Sequence, residues 1–300
     1  VTTPSQRRRA YFAWITICLV WGTTYLAIKV ALDTVPPFLM GGLRYVSAGV
    51  LLAVFALGTG RAMPDRTAWL RALVSGSLLL GLGNGGVVWA EKWVATGLAA
   101  VMVAATPFWM TGIEAASGGE RLTRRAMIGL AMGFSGIVWL VWPDLLASVL
   151  DTQRAGLGFL FGVLALQIAA AGWALGSSYS RRHPPRGDAL GAAAAQMICG
   201  GAVMFVAGTL SGEWHALSFT ARTFTALVYL TLAGSLVGFV CYIYALHHLP
   251  TSFVSLYTYV NPIVAVTLGA LVLGEKVGWR VPSAIATILA GMAVVSWRRA

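Results

Sequence analysis

The chain has 300 residues, of which 58% are hydrophobic and only 10% charged, against about 25% charged in a soluble domain. Mean hydropathy is +0.78, and ten membrane spans of about 20 residues would take roughly 200 positions, leaving short loops and excluding a soluble catalytic domain. The formal net charge of +11 does not point to nucleic acid, because the arginines sit in small clusters between apolar runs and not on one face.

In chain order, Arg7-Arg8-Arg9 precede an apolar run that extends to about Leu32 with no clear cleavage site. It reads as a first span and not as a removable leader. Within it, Trp14, Cys18, Trp21 and Tyr25 recur at spacings that share one helix face. They form either an aromatic wall for a planar solute or a packing seam with Trp14 in an interface belt. Further spans are predicted near residues 38–58, 68–90, 95–116, 126–143, 156–180, 188–210, 222–244, 249–273 and 279–297. Helix-breaking stretches separate them, among them Pro36-Pro37, Gly58-Thr59-Gly60, Gly118-Gly119, Pro184-Pro185 and Ser211-Gly212.

Polar groups inside these spans are the candidate binding groups, since an amide in hydrocarbon must find a partner. The third span carries Asn84 among Gly81, Gly83, Gly85 and Gly86; glycines permit either a local break that frees carbonyls or close helix packing. The fourth and ninth carry Thr106-Pro107 and Asn261-Pro262. Proline removes a backbone bond and kinks a helix, so Pro107 and Pro262 are hinge candidates, with Trp109, Tyr257, Thr258, Tyr259 and Asn261 close by. The sixth carries Gln167, Trp173, Ser177 and Ser178, and the eighth Ser235, Tyr242 and Tyr244. Gln167 bonds either a substrate or a neighbouring helix.

Charged groups are read separately. Lys29 and Arg44 lie one to two turns inside their spans, where long side chains snorkel to the interface; the alternative is that they line a mouth and attract a carboxylate. Glu114 falls near a span end. Glu120 and Glu275 each follow a glycine just before a helix, a structural position at a helix start. His247 and His248 are expected in a short loop before Pro250, with no metal-ligand cluster around them. Cys18, Cys199 and Cys241 fall in apolar runs and read as small buried hydrophobes. No metal or cofactor site is expected.

The two halves repeat about 155 residues apart. Thr106-Pro107, Gly119-Glu120, Arg125 and Gly136 correspond to Asn261-Pro262, Gly274-Glu275, Arg280 and Gly291, and Gly22-Thr23-Thr24-Tyr25 to Gly176-Ser177-Ser178-Tyr179. With five spans per unit, the second copy is inverted. Basic residues collect on the side of both termini: Arg7 to Arg9, Arg61, Arg66, Arg71, Arg121, Arg124, Arg125, Arg181, Arg182, Arg186, Arg298 and Arg299. The positive-inside rule then puts both termini in the cytoplasm.

Trp21-Gly22-Thr23-Thr24-Tyr25, Leu43-Arg44-Tyr45, Thr106-Pro107 with Gly119-Glu120-Arg121, and Asn261-Pro262 with Gly274-Glu275-Lys276 together resemble the EamA family of the drug/metabolite transporter superfamily, over essentially the whole chain. The resemblance implies ten helices, cytoplasmic termini and export of metabolites, often amino acids, from bacteria. Bacterial amino-acid exporters, including the aromatic amino-acid exporter group, are the nearest likeness. Gly83-Asn84-Gly85-Gly86 and Trp89-Ala90-Glu91 also resemble a relative known as a general metabolite exporter.

The expectation is therefore an all-α integral membrane protein of ten transmembrane helices in two inverted five-helix repeats, 1–148 and 149–300. It would sit multi-pass in a bacterial inner membrane and export amino acids or related small metabolites by alternating access. The candidate substrate-binding residues are Trp21, Tyr25, Asn84, Trp109, Gln167, Trp173, Tyr242, Tyr259 and Asn261. Its partners would be a small-molecule solute and the bilayer; the oligomeric state is left open. An intramembrane enzyme would need a nucleophile–base pair, a carboxylate pair or a metal cluster at depth, and the sequence offers none that convinces. An exporter of organic cations would want a buried carboxylate, and a nucleotide-sugar carrier would want clustered basic groups.

Overall fold

The computed structural model describes residues 4–116, 124–150, 156–183, 188–249, 254 and 257–296. Among these the chain is helical, with no strand. Gly119-Glu120, Arg121, Pro184-Pro185, Arg186, Pro250, Arg298 and Arg299 lie outside the described residues, as do the side chains of Glu114, His247 and Tyr259.

The helices are α1 (Pro4–Ala31), α2 (Pro37–Gly58), α3 (Arg66–Gly76), α4 (Gly85–Ala90), α5 (Thr96–Val103), α6 (Thr106–Ala116), α7 (Arg124–Leu150), α8 (Gly156–Arg182), α9 (Ala189–Leu210), α10 (Ala221–Tyr229), α11 (Gly238–His248), α12 (Tyr257–Leu273) and α13 (Arg280–Ser296). Two π-helical stretches join rods end to end: Ser77–Asn84 links α3 to α4, and Leu230–Val237 links α10 to α11. Among the described residues, seven helical rods are long and apolar enough to cross a membrane; Met127–Leu140, Val260–Leu273 and Arg280–Gly291 are shorter apolar helices. Large apolar side chains such as Phe12, Leu19, Val54, Ile168, Val206 and Leu271 face outward, as a lipid-facing surface requires and a water-facing one does not tolerate in quantity.

Local chemistry explains the ends. Pro37 opens α2 with Pro36 extended before it, where a missing N–H costs nothing. Asp65 accepts from Ala68 N at 2.7 Å, and Asp188 from Leu190 N at 2.9 Å and Gly191 N at 3.2 Å. Thr220 and Thr223 close a reciprocal capping box on α10. Gly274 takes φ +68° immediately after α12, a left-handed stop that L side chains resist. His247 and His248 belong to α11 and not to a loop, because the helix runs to the end of the rod before Leu249 turns extended. α7 is longer than the predicted span of 126–143.

Small residues set the packing. α2 lies along α9 and α7 along α13. A Cβ on Gly49 would stand 2.9 Å from Ile198 N, one on Gly201 2.7 Å from Val46 N, and one on Gly291 2.6 Å from Gly129 O. These backbones touch, which is how membrane helices associate without a hydrophobic drive. α1 packs on α12 and α11, while α8 packs on α6, α4 and the first π stretch.

Neither α2 nor α5 begins with a side-chain cap of its own. Each takes one from far along the chain. Glu213 accepts from Leu39 N at 2.8 Å, and Glu275 accepts from Thr96 N at 2.9 Å and Gly97 N at 3.2 Å. Both contacts lie at the end of the bundle opposite the described arginine-rich loops.

The prolines differ from each other. The fourth span breaks: α5 stops at Val103 and α6 restarts at Thr106, beside Pro107. Pro262 lies inside a continuous α12. Pro107 is the second residue of α6, where its missing N–H falls among donors that the helix leaves unsatisfied anyway.

Candidate functional site

Four helices bring aromatic rings to the middle of the bundle. Trp21 of α1 stands 5.8 Å from Trp173 of α8, 5.2 Å from Tyr242 of α11 and 4.9 Å from Tyr257 of α12, centroid to centroid. The contacts with Trp173 and Tyr257 are edge-on, the preferred geometry of aromatic pairs. The Trp21 indole donates to Gly234 O at 2.9 Å, inside the second π stretch. In that stretch the wider ladder carries Gly238 N back to Ala233 O, a pattern that recurs at functional sites.

This cluster separates two cavities. The central one, about 80 Å³, is walled by Trp21, Tyr25, Arg44, Asn84, Trp173, Tyr257 and Asn261 among others. The second, about 270 Å³, opens at the arginine-rich end between Arg71, Ser75, Ser180, Arg181, Gln196 and Tyr242. It is a vestibule leading to the aromatic floor.

Arg44 dominates the central cavity. Its residue is 3% exposed, its Nε donates to Ser235 Oγ at 2.6 Å, and its guanidinium lies 4.7 Å from the Tyr45 ring. Its Nη1 is buried and has no hydrogen-bond partner. Across the same cavity wall, Asn84 Oδ1 is also buried and unpartnered. A donor and an acceptor are thus held ready in an otherwise apolar, aromatic chamber, where unmade hydrogen bonds are costly. Asn261 is satisfied: with its amide nitrogen turned toward acceptors, it donates to Cys18 O and Tyr257 O at 3.1 Å each.

One match after another assigns the architecture. The model of the EamA-like transporter family matches this chain twice, over residues 8–142 and 160–297. The chain belongs to that family. Inner membrane transporter YedA of Escherichia coli is 34% identical over 89% of this chain and 85% of its own length. Transporter YoaV of Bacillus subtilis is 25% identical over 88% of each. A protein of Salmonella typhimurium named a probable amino-acid metabolite efflux pump is 26% identical over 95% of this chain and 94% of its own. A crystal structure aligns with 96% of this chain and 97% of its own at TM-score 0.69 and 21% identity, a shared fold. This EamA protein is therefore a membrane transporter.

The candidates from sequence divide. Trp21, Tyr25, Asn84, Trp173 and Asn261 wall the central cavity, and Tyr242 faces the vestibule side of the floor. Trp109 and Gln167 wall neither cavity: the Trp109 indole Nε1 donates to Gln167 Oε1 at 3.2 Å, and Gln167 Nε2 is buried without a partner. Tyr259 is in α12, its side chain outside the described ones. The snorkelling of Arg44 is overturned, since Arg44 is buried in the cavity wall; Lys29 is part-buried, and its ammonium donates to the backbone carbonyl of Glu91 at the end of the third span. The Arg44 side chain points into the bundle, so its depth of one to two turns did not translate into reach toward the interface. Sequence reasoning also passed over Glu91, which is fully buried with both carboxylate oxygens unpartnered. The signal was present, a carboxylate directly after the apolar run Val87–Ala90.

Proposed function

We propose that this transporter exports amino acids, with aromatic ones among the candidates, or closely related small metabolites across a bacterial inner membrane. The observation that carries the reading is the pairing of a free Arg44 Nη1 with a free Asn84 Oδ1 in one aromatic-walled chamber. A carboxylate suits the first and an ammonium the second, and a planar side chain suits Trp21, Trp173 and Tyr257. The name of the Salmonella relative supports the same class. Arg44 is the charged side chain on this wall among the described residues. A cationic drug meets like charge there, and a nucleotide diphosphate finds too few basic groups.

Transport proceeds by alternating access between halves 1–148 and 149–300. The double family match supports the division. So does the packing, in which α1 meets α11 and α12 as α8 meets α4 and α6. With the arginine-rich end in the cytoplasm, the vestibule opens inward and the end held by Glu275 faces out.

Flux of labelled Phe, Trp, Thr and Met into proteoliposomes tests the reading; no flux above empty vesicles defeats it. Arg44→Gln removes a charge-assisted bond of about 1.5–3 kcal/mol, so affinity falls about 10- to 150-fold. Unchanged affinity in a folded Arg44→Gln protein would detach the carboxylate from this residue.

A further inference from the structure

The sealed end of the bundle holds a carboxylate that neither the fold nor the central cavity uses. Glu91 follows α4, is 0% exposed, and neither oxygen has a hydrogen-bond partner. Lys29 bonds the Glu91 backbone carbonyl instead of the carboxylate. The charged and titratable groups facing it are Lys29 and Tyr25 of α1, Arg44 of α2, and Glu275 in the turn before α13. The facing stretch of α8, from Leu157 to Leu166, and the whole of α5 carry no ionisable side chain. A carboxylate ion without donors in such a place is far costlier than the neutral acid.

Its acidic neighbour closes this end. Glu275 uses both oxygens to hold the first amides of α5, Thr96 N and Gly97 N, and its own N–H bonds Gly269 O at 3.1 Å at the end of α12. The bidentate contact therefore ties the fourth span to the ninth. It needs Glu275 ionised and close, and a second negative charge at Glu91 repels it.

We infer that the Glu91 carboxyl is a proton-binding site whose charge state governs this seal. With the proton on, Glu91 is neutral and Glu275 stays on the α5 amides. When the O–H bond breaks, the proton passes to water, the carboxylate remains, and the two negative charges drive the seal apart. In transport, H⁺ binding at Glu91 closes this end, and H⁺ release to water there frees it to open for solute discharge. The inference rests on the alternating-access reading and the orientation proposed above, but not on the identity of the solute.

Hydrogen exchange of purified protein reads the seal directly, in peptides spanning Trp93–Val103, with rates corrected for intrinsic pH dependence. The wild type is expected to lose protection by up to about tenfold per pH unit once Glu91 ionises, the slope of a single linked proton. Glu91→Gln and Glu91→Met, both permanently neutral, keep high protection across the range. Glu275→Ala loses it at every pH. A wild-type pH profile unchanged in either neutral variant, or neutral variants less protected than the wild type at low pH, overturns the proposal. This readout needs no substrate. Failure of the amino-acid reading appears separately, as absent flux in the wild type.

Discussion

Gly291 of α13 offers the sharpest test of how these helices hold together. A methyl group there would stand 2.6 Å from Gly129 O and 2.9 Å from Gly133 N. Both are backbone atoms of α7, so no rotamer change relieves the clash, and the helices must part by the better part of an ångström. Overpacking of this kind costs about 1–3 kcal/mol. Replacing a mid-helix glycine by alanine returns about 0.8–1 kcal/mol. Gly291→Ala should therefore destabilise by up to about 2 kcal/mol. Its repeat partner supplies the first control: a Cβ on Gly136 meets Ile288 Cγ1 at 3.1 Å, Thr287 Cβ at 3.2 Å and Ala284 O at 3.3 Å, where a few tenths of an ångström of give suffice. Gly136→Ala is expected near neutral. Gly112 of α6 has nothing within 4 Å of its virtual Cβ among the described residues, so Gly112→Ala should be neutral or stabilising. Thermal midpoints in detergent, followed by tryptophan fluorescence and size-exclusion chromatography, give the order Gly112→Ala, Gly136→Ala, Gly291→Ala from most to least stable. Gly291→Ala as stable as the other two would refute the claim that backbone contact sets the α7–α13 separation.

Two other expectations follow from particular contacts. Burial raises the Asp188 carboxyl, but the bonds from Gly191 N, Arg61 and Leu190 N together hold it below the ordinary aspartate range, with Arg61 Nη1 2.8 Å away. A depressed carboxylate stabilises the fold above its unfolded value of about 3.9 and loses that contribution as pH falls through the folded value. Asp188→Asn should thus melt below the wild type at neutral pH, and the gap should close as pH falls below about 4; a gap that persists in acid means the cap and not the charge is at work. Asn84→Leu should weaken substrate affinity about tenfold, the cost of one missing buried hydrogen bond. Gln167→Leu should leave affinity near wild type, because Gln167 does not wall the central cavity; equal losses in equilibrium binding would redraw the site.

The membrane class and the positions of the helices were legible because hydrocarbon thickness demands long apolar runs and because Gly and Pro punctuate them. The aromatic face of α1 was legible too, since Trp21 and Tyr25 keep one helical register. Direction at depth was not. Arg44 sits where a side chain either climbs to the interface or turns inward, and only its bond to Ser235, 191 residues away, decides between them. Gln167 was open in the opposite sense: an amide in an alanine-rich stretch had a binding role or a helix partner before it, and a tryptophan two helices earlier takes up its oxygen while its nitrogen is buried without a partner. The glycines around Asn84 left a broken helix or close packing open, and the rod packs closely on α8 while widening into π geometry over Ser77–Asn84. A second π stretch, Leu230–Val237, falls at nearly the repeat offset. No local pattern separates a five-residue ladder from a four-residue one, since packing against α8 and α9 makes the choice.

The borrowed caps on α2 and α5 also bear on how the chain is made. The amide of Leu39 waits for Glu213, 174 residues later, and that of Thr96 for Glu275, 179 residues later. At a synthesis rate of about 5–20 residues per second, the start of α2 stands open for roughly 9–35 seconds after it enters the bilayer. During that interval the first half is a set of inserted but unfinished helices, and the ribosome is still delivering the groups that complete it. Expressed without its sequel, the first half would keep those helix starts exposed, so co-expression of the two halves as separate chains is the least that reassembly requires.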